Sequence, residues 1–196
     1  MTDMIDLSVA TRRMDRVLDG IGDEHLLAAT PCTEATVGML VDHVLGLTLA
    51  FTAAASKDFE GLTDTPPTLP TGELPGGWND VATARLSALA DAWRDPDAWA
   101  GTTRAGGIDL PGEIAGLVAL DELVVHGWDL AVATRQPYAC EPDEIAACLA
   151  FAGTVSDEQR TEGALFGPAV SVPGDAPALH RLLGLTGRDP SWAPPG

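Results

Sequence analysis

Two stretches of this chain are apolar nearly all the way round at helix length. One follows Thr36, a residue suited to capping a helix, and carries Met39, Leu40, Val41, Val44, Leu45 and Leu47 towards residue 55. The other begins near residue 112 and carries Ile114, Leu117, Val118, Leu120, Leu123, Val124 and Val125 to about residue 134. A helix without a polar face must be surrounded by other elements, so both stretches belong at the centre of a helical assembly. Periodicity is helical wherever else it is strong, and no long stretch alternates with period two. The expected class is all-α.

The remaining elements follow from punctuation. A first helix is expected over 7–19, with Val9, Met14, Val17 and Leu18 on one side, ended by Gly20 and Gly22. Thr30-Pro31-Cys32-Thr33 reads as a turn, and the proline- and glycine-rich residues 60–77 as a loop. A third helix is expected over 78–93, stopped by Asp95-Pro96, and residues 97–111 as irregular or at most a short hairpin. Pro142, with Glu141, Asp143 and Glu144 beside it, suits the first turn of a fifth helix over 142–157. Residues 165–173 read as extended, followed by a short helix over 176–185. Long helices joined in this way suggest an up-down-up-down bundle, or a variant with one longer crossover, in one domain over 1–196.

The central stretches are apolar but carry chemistry. Glu122 and His126 are four residues apart, which stacks them on one helix face, and His43 lies in the other stretch. Bundles build metal sites from side chains on facing helices, and coordination removes the cost of burying such groups. His43, Glu122 and His126 are therefore the candidate metal ligands. The alternative is a Glu122–His126 hydrogen bond facing solvent, with His43 half-buried. Three protein ligands would leave a coordination position open, as in catalytic zinc sites, where a thiol or a water can be activated. The same donors also suit non-haem iron, so the metal's identity stays open. Asp129, three residues past His126, is either an acceptor that orients an imidazole or a loop cap.

A net charge of -18, from 29 acidic against 11 basic residues, opposes binding to nucleic acid or an anionic membrane surface. No basic leader precedes an apolar run, and the apolar stretches are broken by charges or shorter than a bilayer span. A cytoplasmic location is expected. Cys32, Cys140 and Cys148 form no Cys-x-x-Cys pair and fit a reduced compartment, as structural thiols. Ten arginines against one lysine, Lys57, suggest a GC-rich genome.

Thr30-Pro31-Cys32, Thr36-Val37, Leu40-Val41-Asp42-His43 and the later run from Glu122 through His126-Gly127-Trp128-Asp129 occur in the order seen in a known family. With the ending from Asp175 to Leu183 and Gly187-Arg188-Asp189-Pro190-Ser191-Trp192, they resemble the metal-binding domain of the mycothiol-dependent maleylpyruvate isomerases, in the DinB-like superfamily. The resemblance implies a DinB-like four-helix bundle with an extra C-terminal helix and short extended segments. It further implies a divalent metal, usually zinc, on His43, Glu122 and His126, and mycothiol as cosubstrate. A small thiol and an electrophile would be the partners, with S-transfer or cis-trans isomerisation the chemistry, an actinobacterial source, and pairing into a homodimer through apolar faces. The isomerase carries a further C-terminal domain for which 196 residues leave no room, so maleylpyruvate itself is not the implied substrate. His180, where related tails often place an acid, reads as a surface residue rather than a fourth ligand. Trp128 reads as a packing residue, and the loops at 58–77 and 95–112 are expected to border the metal. A non-catalytic metal-containing binding or sensing bundle, or a zinc hydrolase, is the alternative function.

Overall fold

The computed structural model describes residues 4–59, 61, 63–64, 70–161 and 166–195. In chain order these form α1 (Ser8–Asp19), a 3-10 turn (Asp23–His25), α2 (Val37–Ala55), α3 (Trp78–Ala92) and α4 (Pro96–Trp99). There follow β1 (Thr102–Ala105), β2 (Ile108–Pro111), α5 (Gly112–Ala133), α6 (Pro142–Ala152), α7 (Asp157–Thr161) and α8 (Ala178–Leu185). Among the described residues the only sheet is the antiparallel hairpin of β1 and β2. Its two-residue turn, Gly106-Gly107, has positive φ at both positions, which glycine adopts without a Cβ penalty and which matches the twist of the strands. The class is all-α, as the periodicity implied.

The four long helices close a ring. α1 packs on α3 and α5, and α2 packs on the same two. Consecutive helices α1 and α2 therefore lie diagonally across the bundle, as do α3 and α5, whereas a simple up-and-down bundle makes consecutive helices neighbours. Both diagonal connections are long: residues 20–36 precede α2, and α4 with the hairpin lies between α3 and α5. Their length removes the requirement for adjacency. α6 covers α5, and α8 packs on α6 outside the ring.

Leu40, Val41 and Val44 of α2 meet Leu120, Leu123 and Val124 of α5 in one core with Leu7, which caps the start of α1, Met14 and Leu18 of α1, and Leu86 and Leu89 of α3. Trp93 is almost fully buried and donates from Nε1 to the Phe51 carbonyl at 3.1 Å, while Trp99 donates to the Trp93 carbonyl at 2.8 Å. The two indoles stack edge to face, 5.1 Å apart, against Gly116. A Cβ at Gly116 would come within 2.5 Å of the Trp99 ring, so this close approach needs glycine.

Three expectations are corrected. The fifth helix stops at Ala152, not 157, and α7 starts afresh at Asp157. Gly153 weakens the helix, and the Thr154 hydroxyl donates to the Phe151 carbonyl at 2.7 Å, competing with the helical ladder. Within 97–111 the hairpin forms, but an unforeseen turn, α4, precedes it, capped by the Asp95 carboxylate, which accepts from the Asp97 amide at 2.9 Å. Finally, α2 is by length and composition long and apolar enough to cross a membrane, despite Asp42 and His43. In the fold it is a core helix, with Val37, Val41, Val44 and Ala54 wholly buried. Residues 166–173 are non-helical as expected, and the Val170 amide donates to the Gly184 carbonyl at 2.9 Å. Residue 165 and much of the 60–77 loop fall outside the described residues.

Candidate metal centre

His43 sits in the second turn of α2 and Glu122 and His126 in the middle of α5. The two helices run antiparallel: His43 meets Glu122, while the Ala54 carbonyl, three turns on, accepts from Thr103 of the hairpin that leads into α5. Burial of the apolar faces of both helices aligns the three polar residues at one level of the bundle. Each is partly open to solvent.

Both imidazoles converge on one carboxylate oxygen. His43 Nε2 is 3.3 Å and His126 Nε2 is 3.0 Å from Glu122 Oε2. One donor atom from each of the three lies within 4.8 Å of the others, and among the described residues this is the only such cluster of histidine, cysteine and acidic groups. Zinc–nitrogen and zinc–oxygen bonds of about 2.0–2.2 Å in tetrahedral geometry put ligand atoms about 3.3 Å apart. The two separations from Glu122, 3.0 and 3.3 Å, are close to that edge length, and the two imidazole donors lie within 4.8 Å of each other, so the residues fit a divalent ion once the side chains close around it. His43 and His126 cross edge to face, with ring centroids 5.0 Å apart, which keeps them from blocking each other.

Behind His126 stands a buried acid. Its Nδ1 lies 3.0 Å from Asp129 Oδ2, and Asp129 is wholly buried. Hydrogen bonding at Nδ1 leaves Nε2 to face Glu122, the carboxylate–histidine arrangement found behind metal ligands. Asp129 is held in turn by Arg188, whose Nη2 donates to Oδ2 at 3.0 Å and whose Nε lies 3.3 and 3.4 Å from the two oxygens. The neighbouring Asp121 turns away towards Cys148 on α6, and burial pushes its carboxyl up to about 7.

Burial works against charge on both Glu122 and His126, but their hydrogen bonds outweigh it. Those from His126 and His43 hold Glu122 well below the usual carboxylate range. Those to Asp129 and Glu122 push His126 up to about 9. In the metal-free protein a proton thus occupies the line between His126 Nε2 and Glu122, where an ion would compete with it. Zinc affinity is expected to rise about tenfold per pH unit up to about pH 9, because binding releases that proton. The sign for stability is opposite. A histidine raised above its unfolded value of about 6.5 stabilises the metal-free fold fully below that pH and loses the contribution as pH rises through about 9. Zinc competition titrations and chelated thermal melts between pH 6.5 and 9.5 test both slopes; a flat affinity would contradict the assignment.

The surroundings differ from those expected. The hairpin and α4 lie near the far end of α2, where Lys57 donates to the Ala100 carbonyl and Thr103 to Ala54, about 16 Å along the helix from His43. They do not border the donors. One end of the other loop does come close, with the Gly72 amide donating to Asp42 at 3.2 Å. Cys32 is near enough to Arg188, Asp129 and Glu122 to feel their charges, although burial is what chiefly raises its thiol pKa. Its turn is built by the Thr30 hydroxyl, which donates to the carbonyls of Cys32 and Ala35 at 3.0 and 2.8 Å. His180 is exposed on α8 and is not part of the cluster, and Trp128 is buried. Cys148 is fully buried, while Cys32 and Cys140 are half-buried. The residue that sequence reasoning missed is Arg188; its Gly187-Arg188-Asp189-Pro190 segment was recognisable as part of a family ending but carried no role.

A family model described as the mycothiol maleylpyruvate isomerase N-terminal domain matches residues 7–131. Two uncharacterized proteins of Mycobacterium tuberculosis, from strains CDC 1551 / Oshkosh and ATCC 25618 / H37Rv, are each 25% identical over 173 residues, covering 88% of this chain and 90% of the relative. The crystal structure of a mycothiol-dependent maleylpyruvate isomerase superposes with a TM-score of 0.66 at 16% identity, covering 94% of this chain and 88% of that one. A histidine variant of that isomerase superposes with a TM-score of 0.58 at 18% identity, covering 82% and 71%. At these identities the structural likeness is one of fold. It extends past residue 131 and takes in 88% of the first solved chain, further than the family-model match and further than a resemblance to one domain of the isomerase implied.

Proposed function

Because the chain belongs to the mycothiol maleylpyruvate isomerase N-terminal domain family, we propose that it holds a divalent metal, zinc in the first instance, and uses it in mycothiol-dependent transfer or isomerisation. The observation that carries this is the convergence of His43, Glu122 and His126 on one point between two packed helices. A divalent ion bound there would supply a Lewis acid that lowers the pKa of an incoming thiol.

The chain's own residues do the rest. Asp129 keeps the His126 ring turned so that Nε2 faces the donors. Glu122 contributes the one negative charge of the set, so two neutral imidazoles and a carboxylate leave a divalent centre with a net positive charge to attract a thiolate. The protein's own thiols are poor nucleophiles, since burial raises the pKa of Cys32, Cys140 and Cys148 alike. An external small thiol is therefore the better nucleophile, and the electrophile is the second partner. A cytoplasmic setting with reduced thiols and an actinobacterial source, in keeping with the Mycobacterium relatives, complete the proposal.

The test is a rate measurement on zinc-loaded protein with mycothiol and electrophiles bearing activated double bonds or leaving groups. Product is expected only with thiol and metal together, and the rate is expected to fall about 100-fold or more in His43→Ala. Saturable binding without product would favour a sensing bundle, and product without thiol a hydrolase.

A further inference from the structure

We propose that Arg188 is a positioning residue of the metal centre, acting through Asp129 on His126, so that the turn after α8 is part of the site. This rests on the metal reading above and adds to it a residue far away in sequence.

The geometry forms one chain of hydrogen bonds. His126 Nδ1 and Arg188 Nη2 both lie 3.0 Å from the same oxygen, Asp129 Oδ2. Asp129 is wholly buried, where a carboxylate without compensating donors is costly, and Arg188 is its cationic partner. Arg188 is itself fixed. Its Nη1 donates to the Thr186 carbonyl at 2.7 Å and its backbone amide to the Leu183 carbonyl at 2.8 Å. Gly187, at φ 81°, makes the turn, packed so tightly that a Cβ would be 3.2 Å from the Pro168 carbonyl. Leu182 and Leu183 of α8 are fully buried, so this turn rests on the core.

Every side-chain nitrogen of Arg188 thus has a protein acceptor. That committed geometry suits a support for Asp129 rather than an anchor for a substrate anion. Without the guanidinium, Asp129 would be free to rotate, and the direction in which His126 presents Nε2 would be lost with it.

The experiment uses the full chain and zinc alone. Zinc affinity is measured by competition for the parent, Arg188→Met, Arg188→Lys, the exposed-site control Arg181→Met, and His126→Ala. The exchange rate of the His126 Nδ1 proton is then followed by NMR in the zinc-saturated proteins. Arg188→Met is expected to bind zinc about 10- to 100-fold more weakly and to exchange the Nδ1 proton about tenfold faster. Arg188→Lys is expected to recover part of both losses, and Arg181→Met to match the parent. If Arg188→Met does not fold, Arg188→Lys, which keeps the charge but not the fork, provides the same two readouts. Parental zinc affinity in the folded Arg188 variants overturns the inference, as does weaker binding with unchanged proton exchange, which would mark a structural role only. Parental affinity in His126→Ala would instead overturn the metal reading beneath it.

Discussion

The His126→Ala variant is expected to lose the metal. Structural zinc sites with four ligands gain about 10–16 kcal/mol on binding, so one ligand is worth about 3–4 kcal/mol, or several hundredfold in affinity. The fold is expected to survive, because Asp129 keeps Arg188 as its partner when the imidazole is removed. Elemental analysis of parent and variant after incubation with zinc and removal of excess is the measurement. About one ion per chain in the parent, and none in the variant, is the expected pair of values. If neither retains metal, the three residues are a hydrogen-bonded trio and the catalytic proposal falls with them. Glu122→Gln should behave like His126→Ala in this assay, since it keeps the shape of the donor but removes its charge.

The largest stability effect is expected away from the donor cluster. Arg13 on α1 and Glu144 on α6 form an ion pair in which both side chains are almost wholly buried. The same Glu144 oxygen accepts from the Glu141 amide at 2.9 Å and so also caps α6. Glu144→Ala removes the partner and leaves a guanidinium in the interior. Breaking a buried pair from one side costs about 3–5 kcal/mol, which for a chain of this length lowers the Tm on the order of 10 °C. The double variant Arg13→Met/Glu144→Leu, apolar and of similar volume, is expected to recover most of that loss. Calorimetry on the three proteins decides it. A Glu144→Ala melt within about 2 °C of the parent would mean that Arg13 reaches water or another acceptor.

Much of this was legible in the chain itself. The all-round apolar character of the stretches that became α2 and α5 placed them in the core, and the four-residue spacing placed Glu122 and His126 on one face. That His43 would complete the set followed from a histidine stranded on a core helix, where an unpartnered polar group is costly. Periodicity was less informative where short-range chemistry dominated. Gly153 and Thr154 cut the fifth helix early, and Asp95-Pro96 restarted a helical turn in a segment that reads as irregular.

Local sequence therefore determined the helices, their buried faces and the spacing of the candidate donors, because period and capping act within a few residues. Tertiary structure alone decided that α1 and α2 lie diagonally, since long connections leave helix order to core packing. It also decided that the hairpin packs against the end of α2 about 16 Å along the helix from His43, and that Arg188 reaches Asp129 across 59 residues of sequence. A hydrogen bond between positions so far apart has no periodicity to announce it. It exists only because α8 docks its buried leucines on the core and thereby aims the turn that follows at Asp129, behind the candidate metal donors.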